Sequence, residues 1–170
     1  MTSFIALLRA VNVGGTGNLA MADLRAMCEA AAFHSVRTYI ASGNVVFESE
    51  LDATAVRQEL ESRLLAYAGK PVRVMVRTAA EMAEVLARNP FPHAPGNRTL
   101  AIFLDAAPPA DTLASLSGRV DEEVELGRKE IYVSYGANMG QSTLRIPAAK
   151  SGTARNMNTV AKLASMALGL

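Results

Sequence analysis

The segment Arg9–Asn18 carries the residues best suited to chemistry: an arginine, two asparagines and three glycines directly after the apolar run Phe4–Leu8. Glycines leave backbone N–H groups unhindered, and a fixed positive charge beside them suits an anion such as phosphate. The spacing differs from that of the glycine-rich nucleotide-binding motifs, so the segment indicates no particular reaction. The alternative is a turn in which the glycines only supply positive φ.

A second segment, Lys150–Thr159, precedes the apolar positions of a predicted last helix. No acidic residue follows Glu130, whereas four basic residues do. A helix N-terminus there offers free N–H groups to an anion, although its polar side chains could instead serve as simple caps. We expect the two segments to converge on one anion-binding pocket, formed by Arg9, Asn12, Gly14, Gly15, Asn44, Lys150, Arg155, Asn156, Asn158 and Lys162.

Residues for catalysis or metal binding are scarce. The chain has two histidines, His34 and His93, and one cysteine, Cys28. A nucleophilic serine such as Ser42 needs a base, and neither histidine is placed to act as one. We therefore name no catalytic residue, expect no metal or other cofactor, and leave open whether the protein is an enzyme.

The composition is that of an ordinary globular protein. The chain has 170 residues, half of them hydrophobic, and 17 basic against 16 acidic side chains. Such a balanced charge attracts neither nucleic acid nor anionic membranes in general, and few aromatic residues are present to stack on bases. With one cysteine, no leader and no long apolar run, we expect a cytoplasmic protein without membrane spans.

The hydrophobic pattern of the first half predicts the order βαββαβ. A buried central strand covers residues 3–9 and a helix runs from Met21 to near Phe33. A hairpin then turns at Ser42–Asn44, Asp52 caps a second helix, and a strand follows Pro71. This order is the ferredoxin-like pattern.

The second half repeats the order without its final strand, as βαββα. We predict strands at residues 99–104, 123–126 and 131–135, a short helix near Leu113–Leu116, and a last helix that ends at Leu168. The fold class is therefore α+β, with two ferredoxin-like units packed together. The first spans residues 1–77 and the second residues 98–170. Between them lie a connecting helix with the capping box Thr78–Glu81 and a proline-rich linker, at residues 78–97.

Three segments resemble the DUF1697 family of bacterial proteins: Leu8–Gly15, Arg37–Phe47 and Thr153–Leu163. The resemblance implies an α+β structure with ferredoxin-like units. It brings no catalytic residues, because it is a family of unknown function. The chain departs from the family pattern at Thr16–Asn18, where a basic or amide-rich continuation is usual, and at Met157, where an aromatic residue is usual. Both departures disfavour nucleic acid as the ligand.

These observations favour the binding of a phosphate-bearing small molecule or nucleotide. One alternative is an interaction module whose exposed edge strands pair with another protein or with a second copy of the chain. A further alternative is an enzyme that acts on such a ligand by an unidentified reaction.

Overall fold

The computed structural model describes residues 1–11 and 18–170. These residues form four α-helices and two antiparallel four-stranded sheets, so the predicted α+β class is confirmed. The chain groups into two compact units: Met1–Ala83 together with Lys162–Leu170, and Glu84–Ala161. The predicted site residues Asn12, Gly14 and Gly15 lie outside the described residues.

The first sheet has the strand order β2-β3-β1-β4. Strand β1 pairs antiparallel with both β3 and β4, and its residues from Phe4 onward are buried. The prediction of a central strand is therefore confirmed, because a strand without apolar and polar alternation is buried on both faces. The four strands are β1 (Thr2–Leu8), β2 (His34–Tyr39), β3 (Asn44–Ser49) and β4 (Val74–Thr78).

Two helices, α1 (Met21–Ala30) and α2 (Ala53–Ala68), share a buried apolar cluster with this sheet. The side chain of Asp52 accepts the Ala55 N–H at 2.8 Å and so caps α2 as predicted. Helix α2 ends at Gly69, whose φ of 71° is the left-handed conformation that glycine adopts without strain. The buried residues of this cluster are Phe4, Ala6, Leu8, Val11, Leu19, Leu24, Cys28, Phe33, Val36, Val45, Phe47, Val56, Leu60, Leu64 and Val74.

Helix α3 (Ala79–Ala87) follows β4 directly and begins with the predicted capping box. The Thr78 N–H donates to Glu81 Oε1 at 2.9 Å, and the Glu81 N–H donates to Thr78 Oγ1 at 3.1 Å. Two backbone donors at the helix N-terminus are thus satisfied reciprocally.

The second sheet contains a strand that the sequence pattern does not reveal. Its order is β6-β7-β5-β8, from β5 (Thr99–Phe103), β6 (Glu123–Leu126), β7 (Glu130–Ser134) and β8 (Thr153–Asn156). The prediction of a second unit without a final strand is therefore wrong. Strand β8 has only four residues, and α4 (Met157–Leu168) begins immediately after it. Because the apolar periodicity of that helix is strong, the sequence pattern predicts a helix here and does not reveal the short strand before it.

The connections in the second unit are largely irregular and contain short 3₁₀ turns. One lies at Leu113–Ser115, where a short helix is predicted, and two more lie at Met139–Gln141 and Pro147–Ser151. Apolar side chains from these connections pack against the buried cluster of the sheet. They include Leu116, Leu144 and Ile146, against Ile102, Leu104, Val124, Ile131 and Val133.

Within residues 1–11 and 18–170, no helix is long and apolar enough to span a membrane.

Candidate functional site

The end of β1 lies against the turn between β2 and β3. The Leu8 N–H donates to the Gly43 carbonyl at 2.8 Å. A Cβ on the buried Gly43 would lie 2.5 Å from Val11 Cγ2 and 2.9 Å from Leu8 Cβ, and the φ of Gly43 is +83°. Only glycine fits this approach. The structure thus brings together two segments that the sequence marks separately, the start of Arg9–Asn18 and the turn Ser42–Asn44.

Two non-glycine residues at this junction have left-handed backbone, Ala10 with φ 56° and Ile40 with φ 50°. Such a conformation costs an L-residue about 1–2 kcal/mol and is rare for a β-branched side chain. Ile40 is also 53 % exposed, so little burial offsets the cost. Strained backbone clusters at functional sites, and this feature therefore marks the junction as a candidate. In the described part of the chain two further non-glycine residues have positive φ: Ala32 between α1 and β2, and Ser35 within β2.

Three basic residues lie at this end of the first sheet. The backbone N–H of Arg9 donates to the Arg73 carbonyl at 2.9 Å, so the two arginines are aligned at neighbouring strand ends. Lys70 lines a small cavity together with Ala10 and Val11, which directly follow Arg9. Arg9 is half-buried, whereas Lys70 and Arg73 are exposed. Three basic residues thus belong to one end of the first sheet.

Two carboxylates accept hydrogen bonds from neighbours of these basic residues: Val74, which follows Arg73, and Tyr67, which lines the same cavity as Lys70. Glu61 Oε2 accepts the Val74 N–H at 3.1 Å, and Asp23 Oδ2 accepts the Tyr67 hydroxyl at 2.8 Å. The bond to Asp23 raises the pKa of Tyr67, so this hydroxyl stays protonated at neutral pH. The three basic side chains at this end of the sheet attract an anionic ligand.

Lys70 and Arg73 are site residues that the sequence reasoning missed. The sequence does carry a signal for these two residues. They lie in the segment Gly69–Arg73, which β4 follows in the predicted βαββαβ order. In the structure β1 and β4 are antiparallel, with Leu8 opposite Val74, so β4 begins where β1 ends. Basic residues just before β4 are therefore placed beside the end of β1.

The predicted site residue Asn44 holds the turn together. It is fully buried, and its side-chain amide donates to the Tyr39 carbonyl at 3.0 Å and to Ser42 Oγ at 3.0 Å. These bonds close the loop across the hairpin. A direct role for Asn44 in ligand binding stays a prediction.

The predicted basic segment near the C-terminus contains a turn, a strand and a helix start. Lys150 is exposed in the 3₁₀ turn Pro147–Ser151, and Arg155 and Asn156 belong to β8. Burial lowers the pKa of Arg155 to about 10, which still leaves its guanidinium charged at neutral pH. Arg155 Nη1 also donates to the Ala154 carbonyl at 2.9 Å.

The polar residues at the start of α4 act at least partly as caps. Asn156 Oδ1 accepts the Thr159 N–H at 2.9 Å, which is the capping alternative. Asn158 is exposed in the first turn and lies against Gly96, where a Cβ would meet its side-chain oxygen. Lys162 is exposed further along the helix. The convergence of this segment with Arg9 stays a prediction.

Neither metal binding nor thiol chemistry has support in the described part of the chain. Outside residues 12–17, no group of three or more His, Cys, Asp or Glu side chains is placed to hold a metal ion. Cys28 is fully buried on α1, and burial raises its pKa to about 12. A thiol with so high a pKa is a poor nucleophile.

Comparison with known proteins places the chain in a family. Residues 1–132 match a family model described as a protein of unknown function, DUF1697. The chain belongs to the DUF1697 family. The matched residues include the end of β1 and the turn between β2 and β3, and they stop before β8 and α4. The resemblance seen in the sequence is therefore confirmed, and the family carries no assigned function.

The structure is similar to that of the conserved bacterial protein SP0830 from Streptococcus pneumoniae. The TM-score is 0.81 at 23 % sequence identity, and the alignment covers 98 % of each chain. At this identity the likeness shows the fold alone. No curated protein matches the chain. Function must therefore be argued from the geometry of the site.

Proposed function

We propose that this DUF1697 protein binds a phosphate-bearing small molecule or nucleotide at the end of β1. One observation carries the proposal: a backbone hydrogen bond aligns Arg9 with Arg73 beside strained backbone at Ala10. A guanidinium group binds two phosphate oxygens at once through two parallel N–H donors. Arg9 and Arg73 carry two such groups and belong to adjacent strand ends, and Lys70 is a third cation beside the cavity that Ala10 and Val11 line.

The charge of the ligand favours phosphate over a simple carboxylate. A phosphate ester carries close to two negative charges at neutral pH, whereas a carboxylate carries one. Arg9, Lys70 and Arg73 are three basic residues at this end of the first sheet, and each can attract a negative charge of the ligand. A dianion therefore gains more from this site than a monoanion.

The interaction module is the second candidate, because features of two edge strands disfavour pairing with another chain. Strand β2 has a register shift between His34 and Arg37, and such irregularities discourage pairing with another strand. Strand β6 carries the exposed residues Glu123 and Glu125, which repel a second copy of the same edge. Self-association through these two edges is thus disfavoured relative to ligand binding.

Thermal unfolding with added ligands tests the proposal. The panel contains inorganic phosphate, a nucleoside monophosphate, a sugar phosphate and a short oligonucleotide, with Arg9→Ala and Arg73→Ala as test variants. Arg128→Ala is the matched control, because Arg128 is an exposed arginine on the turn between β6 and β7. Arg155→Ala tests whether the second segment takes part.

A ligand at a hundred times its Kd stabilises the native state by about 2.7 kcal/mol, and we expect a shift of about 5–10 °C in the unfolding midpoint. Arg9→Ala and Arg73→Ala should remove the shift, whereas Arg128→Ala should retain it. Unchanged midpoints with every ligand would favour the interaction module. A shift that survives Arg9→Ala would exclude the end of β1 as the site.

We also propose that residues 1–77 and residues 98–170 each have a ferredoxin-like arrangement, with 78–97 as the connection. Support comes from the matching strand orders β2-β3-β1-β4 and β6-β7-β5-β8. We further infer a cytoplasmic location, because the free Cys28 is unpaired. Separate expression of each segment and cell fractionation test these two points.

A further inference from the structure

A small apolar cavity lies beside the proposed phosphate site. Its volume is about 30 Å³, and its walls include the aliphatic side chains of Val11, Leu19, Leu64 and Val72. The first three belong to the buried cluster of the first unit, and Val72 packs against that cluster. Cavities with such walls stay dry and accept apolar groups.

The cavity and the proposed site share residues. Ala10 and Val11 line the cavity and directly follow Arg9, and Lys70 lines it as well. Ala10 is also one of the strained residues at the end of β1. A ligand whose phosphate contacts Arg9 and Lys70 therefore has the cavity within reach of its next few atoms.

We propose that the ligand is a phosphate ester whose short apolar group enters this cavity while Arg9 and Lys70 bind the phosphate. The inference rests on the proposed phosphate site and adds the class of ester that fits it. A water-sized group needs about 10–15 Å³ of such space, so a cavity of about 30 Å³ holds about two to three carbon atoms.

Calorimetric titration with inorganic phosphate and with methyl, ethyl, propyl and butyl phosphate tests the inference. Each buried methylene strengthens binding by about fourfold. We expect the Kd to fall by about that factor per carbon as far as propyl phosphate, and then to level off once the cavity is full.

Two variants fill the cavity, and one variant is a control. Val72→Phe occupies the space and should remove the dependence on chain length, so that within this variant the four esters share one Kd. Ala68→Leu is the second filling variant and is used if Val72→Phe fails to fold, because Ala68 is exposed and lines the same cavity. Leu65→Phe is the control: Leu65 is on the same helix, is 48 % exposed and lies outside the cavity wall.

The outcomes separate this inference from the proposed function. If inorganic phosphate fails to bind, or binds equally well to Arg9→Ala, the phosphate site and the inference both fall. If phosphate binding depends on Arg9 but all four esters have the same Kd, only the inference falls. A gain that continues beyond propyl phosphate and persists in Val72→Phe would likewise overturn it, because the apolar contact would then lie elsewhere.

Discussion

The two sheets have matching strand orders but different covers. In the first unit α1 and α2 share the apolar cluster of the sheet, whereas the second unit has 3₁₀ turns in the corresponding connections. A helix satisfies most of its own backbone hydrogen bonds, but irregular chain needs other partners for its N–H and C=O groups. One sheet topology thus tolerates two kinds of cover, provided that the irregular one is held by polar contacts.

Glu122 provides such contacts in the second unit. It is only 2 % exposed, and its carboxylate accepts the Val120 N–H at 2.7 Å and the Ser142 hydroxyl. Arg119 Nε donates to the Glu122 carbonyl at 2.6 Å. The bond to Ser142 is the main reason why the pKa of Glu122 falls to about 2. This carboxylate therefore joins the connection before β6 to the connection after β7.

The largest expected effect contrasts the apolar covers of the two units. Leu60 on α2 is fully buried, whereas Leu116 in the second unit is half-buried. Because Leu60→Ala leaves a cavity in the core, we expect it to cost about 3 kcal/mol in the free energy of unfolding. Leu116→Ala should cost about 1 kcal/mol. Urea unfolding of both variants measures the difference, and equal losses would show that the loop cover is packed as tightly as the helical one.

The next effect contrasts two glycines with left-handed backbone. Gly118 has φ 67° and lies so close to the Thr143 carbonyl that a Cβ would overlap it, whereas Gly69 has φ 71° and open space around it. Gly69→Ala should cost only the conformational strain of about 1–2 kcal/mol. Gly118→Ala adds an overlap with backbone, and overpacking costs about a further 1–3 kcal/mol. Chemical unfolding measures both, and similar losses would mean that the connections near Gly118 yield easily.

The smallest effect is a dependence of stability on pH. The pKa of Glu122 is about 2 in the folded protein and 4.5 for the unperturbed group. Between these values the unfolded chain binds more protons, so stability decreases as the pH falls through this range. Glu122→Gln should lose this slope and be less stable than the parent protein at pH 7. Urea midpoints at pH 7, 4 and 3 check it, with Glu123→Gln on the exposed face of β6 as control; a parent slope retained in Glu122→Gln would assign it to other groups.

The elements that the sequence predicts are those with strong local patterns. Asp52 predicts the start of α2, and the capping box of Thr78 and Glu81 predicts the start of α3. Both are local signals, because caps act over three residues. Strand β8 escapes prediction because its few residues include Arg155 and Asn156 and gain their order from pairing with the distant β5. Non-local pairing leaves little trace in so short a segment.

The candidate site was predictable only in part. Arg9 and the turn Ser42–Asn44 are recognisable from residue type, but their meeting depends on how close Gly43 comes to Leu8 and Val11. Such an approach follows from the register of β1 and β3, which the hydrophobic pattern alone does not fix. Lys70 belongs to the site because β4 begins beside the end of β1, which the sequence alone does not show.

The buried thiol of Cys28 offers a way to follow one half of the molecule alone. It is the single cysteine of the chain, and it lies in the apolar cluster of the first unit. With a pKa of about 12, about one molecule in 10⁴ carries a thiolate at pH 8 even before access is considered. Alkylation by a thiol reagent therefore proceeds through molecules in which the first unit has opened, and its rate measures that opening. The second unit has no cysteine and takes up no label.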